Sequence, residues 1–256
     1  MQLMFKYDID RLLSFASNAD NNIHIVDKDS FMMLCFPEVD YFNYAFTPTN
    51  QELSANQLSE IKLFYLNQKI TKHKVIINAS CYESILLMQS HSSYKHTSTI
   101  SKTVITPLSN YQTKQSEGLD FIEVDGSNID LFAKLYLDGF DSRKKIDFAI
   151  VNNFKSLLKL GDLDLFLLKT EGKYVGINVF YQSDTESLLA GGAILPKYRN
   201  KGFHQQSLKY RIDGAMQKKN AKSVVAWAYN PSISLNNMLK LKMEIQENFN
   251  VYEYCQ

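Results

Sequence analysis

The sequence predicts an α/β (α+β) protein in which strands and helices are intermixed along the chain. Three observations carry this. Apolar residues switch repeatedly between alternation and helical spacing, the Thr170-Glu-Gly-Lys173 stretch has hairpin chemistry, and Pro196 to Gln206 (PKYRNKGFHQQ) links a strand to a helix. The 256 residues suffice for one large or two ordinary domains, and 45% hydrophobic content is enough to fill a core.

In the first half, Phe31-Met-Met-Leu-Cys-Phe36 suits a buried strand. Tyr41 to Phe46 reads as another strand, closed by Thr47-Pro48, and its aromatics are expected in the core. Ser54 and Gln57 form a capping-box candidate ahead of Leu58, Ile61, Phe64 and Tyr65 at helical spacing. Lys74 to Asn78 is a short strand, Tyr82 to Gln89 a turn or two of helix, and Thr97 to Thr106 a β-rich segment. The polar stretch SNYQTKQSEG, Ser109 to Gly118, reads as a linker, which gives domains of 1–112 and 113–256.

The second half begins with a strand at Phe121 to Val124. A helix capped by Ser127 or Asn128 follows, carrying Ile129, Phe132, Ala133 and Tyr136, and then a helix from Ile146 to Leu160 that stops at Gly161. Asp164 to Lys169 and Tyr174 to Tyr181 form the hairpin, and Ser187 to Leu195 a third strand. Gly191 and Gly192 weaken that strand unless a bulge or a close neighbour needs the space. After the loop, Leu208, Ile212, Ala215 and Met216 keep one helical face. A strand at Ser223 to Tyr229, with Trp227 half-buried, a short helix within Asn230 to Met243 and a strand at Phe249 to Tyr254 complete the chain.

Composition excludes several classes. No apolar run approaches the roughly 20 residues that cross a bilayer, and the N-terminus lacks a secretory pattern, so neither membrane nor export is expected. Three scattered cysteines and five histidines without ligand spacing predict no metal and fit a reducing cytoplasm. A net charge of +1 predicts no nucleic-acid partner, and Arg143-Lys144-Lys145 and Lys218-Lys219 read as solvated faces.

The loop can hold an anion. Amides at a helix N-terminus lack intrahelical partners and carry partial positive charge, Gly202 lets backbone approach a ligand, and Arg199 and Lys201 add charge, with arginine able to fork onto a phosphate. A plain surface turn accommodates the same residues.

Ile194, Pro196, Arg199 and Gly202 fill, in order, the V-x-P-x-x-R-x-x-G-x-G/A loop of acyl-CoA-dependent N-acyltransferases, and the chain from about Phe121 to Tyr254 resembles that GNAT superfamily. Ser234 and Asn237 approximate its later S-x-x-N, and Lys242-Met243 stand where the family has G-F. Two further departures are His204 at the loop's last small position and Met238 where many members carry a tyrosine acid.

The resemblance implies a GNAT-like mixed, mostly antiparallel sheet flanked by helices. It also implies transfer of acetyl, or another acyl group, from acetyl-CoA to a small-molecule or protein amine by direct attack. Ala193, Ile194 and Leu195 would bond the pantetheine arm, Arg199, Asn200, Lys201, Gly202, Phe203 and His204 the pyrophosphate, and Asn237 the arm from the other side. Candidate bases are Glu186, Tyr229 and His204, each of which also has a structural reading as strand-end carboxylate, rim packing and helix start. A catalytically silent acyl-CoA-binding or partner-binding module is the alternative. The element order of the first half fits either a degenerate GNAT-like repeat without a cofactor loop or an unrelated module.

Overall fold

The computed structural model describes residues 2–16, 22–47, 51–106, 118–140, 148–183, 185–218 and 221–255. The linker reading (109–117), the 112/113 boundary, Arg143 to Lys145 and the first residues of the 146–160 helix lie outside them. By contacts the chain forms two compact units. The first comprises Met1–Lys102, Ala228–Ser232 and Ile245–Gln256, and the second Thr103–Trp227 and Ile233–Glu244.

The first unit opens with helix α1 (Leu3–Ala16), followed by strands β1 (His24–Asp27), β2 (Met32–Cys35) and β3 (Tyr44–Phe46) as an antiparallel meander. Helix α2 (Ala55–Asn67) then leads to β4 (Lys74–Asn78), parallel to β3. Helix α3 (Tyr82–Ser90) and β5 (Tyr94–Ile105) follow, and β11 (Glu244–Tyr254) inserts between β4 and β5, antiparallel to β4. The last strand of the chain therefore completes the sheet of the first unit.

The core of this unit gathers Met33, Leu58, Ile61, Tyr65, Ile77 and Met88. The capping box forms as its sequence predicts: Gln57 N donates to Ser54 Oγ at 3.3 Å, and Ser54 N to the Gln57 side chain at 2.7 Å. The Tyr41 to Phe46 reading needs correction. A 3-10 turn covers Asp40–Phe42, and only Tyr44–Phe46 is strand. Asn43 causes the break, because its N–H closes the turn onto Asp40 O and its Oδ1 accepts from Phe36 N at 2.8 Å.

In the second unit, β6 (Asp120–Glu123), α4 (Ile129–Gly139) and α5 (Phe148–Leu158) precede an antiparallel meander of β7 (Leu163–Thr170), β8 (Lys173–Gln182) and β9 (Glu186–Ile194). The loop and helix α6 (Phe203–Lys218) follow, then β10 (Ser223–Asn230), parallel to β9, and α7 (Ile233–Lys240). The two units thus repeat one element order: meander, helix, parallel strand, helix.

Two irregularities of β9 position the site. Its register against β8 shifts between Val179↔Gly191 and Tyr181↔Leu188, so β9 carries a bulge at the residues before its paired glycines. Its parallel register with β10 covers only Glu186 to Leu188. Beyond Leu188 the outer edge of β9 has no registered partner in β10.

The end of α7 carries a compensation. Lys242 holds φ 64, the left-handed region that favours glycine, at the position of the family's G-F pair. Met243 N reaches back to Met238 O at 3.1 Å, a Schellman closure, and both methionines are buried. Among the described residues no helix is long and apolar enough to cross a membrane.

Candidate functional site

The loop leaves β9 as a short 3-10 turn, Pro196–Tyr198, whose proline needs no donor. Arg199 is extended, and Asn200 (φ 63) and Gly202 (φ 80) turn the chain into α6. Asparagine tolerates that region, and glycine occupies it without cost. The first α-helical bond runs from Gln206 N to Gly202 O. The amides of Phe203, His204 and Gln205 have no partner within the described protein, as expected of an uncapped first turn.

These amides open onto a cleft of about 750 Å³. Its walls are the end of β9 (Gly192, Ala193, Ile194), the loop and start of α6 (Tyr198 to Asn200 and Gly202 to Gln205), the end of α4 (Gly139, Phe140) and one side of α7 (Ile233, Ser234, Asn236, Asn237, Lys240). Its charged lining residues are Arg199 and Lys240, with no carboxylate among the described ones. Lys197 and Lys201 place their ammonium groups 4.9 and 5.8 Å from the Tyr198 ring, adding positive potential to the loop. Phe140 and Ile233 form an exposed apolar rim.

Arg199 is used differently from the simple phosphate fork. Its Nε donates to Ile194 O at 3.0 Å and its Nη2 to Gly139 O at 2.9 Å, so the guanidinium ties the end of β9 to the end of α4. The loop is braced by two charge-assisted bonds.

Strand geometry sorts the residues of β9. Leu195 N donates to Val175 O at 2.9 Å, so Leu195 faces β8. Alternation along the ladder then turns Ala193 toward β8 as well, and presents the backbone groups of Ile194 and Gly192 at the outer edge. Gly192 lines the cleft and is a residue that loop-motif reasoning passes over. Its signal was the paired glycine.

His204 points at α7. Its Nδ1 accepts from Asn237 Nδ2 at 3.0 Å, which leaves the ring proton on Nε2. Burial, and then the charge of Arg211, lower its pKa to about 4. The imidazole is neutral at physiological pH and a weak base. Asn237 is thereby engaged across the cleft mouth, a contact between residues 33 apart that no local pattern announces.

The other predicted bases lie elsewhere. Glu186, at the start of β9, accepts from Ser223 Oγ at 3.1 Å and does not line the cleft. Tyr229 is about half exposed and also outside the lining; partial desolvation and then the charge of Glu253 raise its pKa. Met238, at the family's tyrosine position, is buried, with its sulfur 3.5 Å from Thr103 Oγ1. Residues supplied by the fold without a sequence signal include Phe140, Tyr198, Gln205, Asn236 and Lys240.

No family model and no curated protein matches the sequence. Solved structures do match. The chain is similar to a GCN5-related N-acetyltransferase from Kribbella flavida (12% identity, TM-score 0.63), covering 99% of this chain and 96% of that one. It is similar to a GCN5-related N-acetyltransferase from Sphaerobacter thermophilus (12%, 0.64, 89% and 81%). A tandem GNAT protein from the clavulanic acid biosynthesis pathway aligns at 5% identity and a TM-score of 0.61, over 95% of this chain and 86% of that one. The chain has the GNAT fold.

Proposed function

We propose that the chain is a GNAT-type N-acetyltransferase that moves the acetyl group of acetyl-CoA to an amine by direct attack in a ternary complex. The observation that carries this is the open N-terminus of α6, whose free amides and left-handed Gly202 face a cleft that also exposes the outer edge of β9. The free amides at the start of α6, with Lys201 and Asn200 at the turn, would take the pyrophosphate. Arg199 would act by holding the loop to Ile194 and Gly139. The pantetheine arm would run along β9, where the Ile194 and Gly192 amides are available, with Asn237 opposite.

In the reaction the amine lone pair attacks the thioester carbonyl carbon, the C–S bond breaks, CoA leaves as thiolate, and the ammonium proton passes to water. Backbone donors at the β9 edge would stabilise the oxyanion. His204, with a pKa near 4, is too weak a base to set the rate near neutrality. The acceptor is a small-molecule or protein amine, and neither nucleic acid nor membrane is a partner in this reading. The free Cys35, Cys81 and Cys255 support a reducing, cytoplasmic setting.

Two observations favour a second reading, a silent acyl-CoA-binding module: Met238 is buried where the family has its acid, and the described lining holds no carboxylate. Thiol release from acetyl-CoA, followed against a panel of amines, separates the two. Amine-dependent release supports the enzyme. Tight acetyl-CoA binding with no release above the uncatalysed rate for any amine supports the module.

A further inference from the structure

Arg211, midway along α6, is 3% exposed and forms no salt bridge among the described residues. Its Nη1 donates to Gly191 O at 2.6 Å and to Val179 O at 3.2 Å, and its Nε reaches Ser207 O at 3.4 Å. A buried cation without a counter-ion is costly, so its retention calls for a physical explanation. Burial lowers its pKa to about 9, which still leaves it charged at neutral pH.

The guanidinium explains one glycine. A Cβ at Gly192 would stand 2.6 Å from Arg211 Nη2 and 3.2 Å from both its Cζ and Asn178 Oδ1. The two carbonyls that Nη1 bonds belong to one cross-strand pair, Val179↔Gly191, which borders the register shift. The parallel pairing of β9 with β10 ends at Leu188↔Val225, on the other side of that shift. Bulge, end of pairing and buried cation therefore meet within Leu188 to Gly192.

We infer that Arg211 is a positioning residue: by holding both carbonyls of the Val179↔Gly191 pair from the α6 side, it fixes the break in register that leaves the Gly192 and Ile194 amides facing the cleft. The inference rests on the acyl-CoA reading of that cleft. A carbonyl can accept a second donor without leaving its ladder, so the fork adds a constraint and removes none. Arg211 itself touches neither proposed substrate.

The test is a double-mutant cycle on acetyl-CoA affinity, measured by calorimetry with Arg211→Met, Arg211→Lys, Gly192→Ala and the pair Arg211→Met with Gly192→Ala. Loss of the fork, or its displacement by the new methyl group, should weaken binding about tenfold, the worth of one or two net hydrogen bonds. Lysine, which keeps the charge and can reach a carbonyl, should recover part of it. The double variant should bind no worse than Arg211→Met, because the alanine then meets no guanidinium. Wild-type affinity in a folded Arg211→Met protein, or additive losses in the double variant, would overturn the inference. Should Arg211→Met fail to fold, Gly192→Ala decides, and unchanged affinity there overturns it. If the wild type binds no acetyl-CoA, the reading of the cleft has failed, and Arg211 is judged by hydrogen exchange. Faster exchange confined to Gly191 to Ile194 in Gly192→Ala supports its role, and unchanged exchange there refutes it.

Discussion

Helices α2 and α6 each follow a strand meander, one in each unit, and they begin in opposite chemical states. At α2 two of the orphan donors, the Ser54 and Gln57 amides, are closed by the Ser54–Gln57 box. The next helix of that unit is closed too, since Glu52 accepts from Ser84 N at 2.7 Å and Ser84 Oγ at 2.5 Å, bonds that lower its pKa. At α6 the first turn is left open by a glycine at φ 80, and the open donors line a cleft. One element order therefore carries a helix start that side chains satisfy in one unit and, in the other, an open start to which the proposed function assigns an anion.

The contrast can be broken most severely with Gly202→Asp, which adds strain and a negative charge at the open turn. Acetyl-CoA affinity should fall about a hundredfold by calorimetry, with the fold retained by circular dichroism. Arg199→Ala removes the brace between Ile194 and Gly139. It should cost about 2 kcal/mol in denaturant unfolding and weaken acetyl-CoA about tenfold.

Gly202→Ser sharpens the comparison, because Gln205 already stands three residues further on, as Gln57 does from Ser54. The change should rebuild the α2 box at α6 and lower affinity about tenfold. Stability should stay near wild type, since a cap worth about 1 kcal/mol offsets left-handed strain of about 1–2 kcal/mol. Ser54→Ala is the converse: about 1 kcal/mol less stable, with acetyl-CoA affinity unchanged.

The smallest effect is on pH dependence. His204 titrates near 4 in the folded protein against 6.5 for an ordinary histidine, so the unfolded chain binds the extra proton between those values. His73, lowered to about 4 chiefly by burial, acts in the same direction, while Asp213, raised to about 6 by burial, opposes both. The histidine contribution is present above pH 6.5 and is lost as pH falls toward 4. His204→Leu should make stability fall less steeply over that window in denaturant titrations.

The sequence made the second unit largely legible because its punctuation is local. Pro196, Gly202 and the apolar spacing of Leu208, Ile212 and Ala215 define strand, loop and helix within one window. Long-range pairing was not legible. Helix α1 buries Asp8 against Tyr41 and Tyr44, and burial raises that carboxyl, an arrangement that a mixed polar and apolar N-terminus does not announce. No pattern in the residues around Arg211 announces that it is buried against Gly192. His204 reads as a pyrophosphate ligand, a base or a helix-start residue, and only the fold turns its ring toward Asn237. That the last strand closes the first unit depends on topology, which no window of residues contains.

In the proposed function the open start of α6 holds the pyrophosphate of acetyl-CoA. The most direct test of this is calorimetric titration of wild type and Gly202→Asp with acetyl-CoA and with acetyl-pantetheine, which lacks the pyrophosphate and nucleotide. Wild type should bind acetyl-CoA about a hundredfold more tightly than acetyl-pantetheine, and Gly202→Asp should abolish most of that difference. Equal affinity of wild type for the two thioesters, or a preference that survives Gly202→Asp, would contradict it.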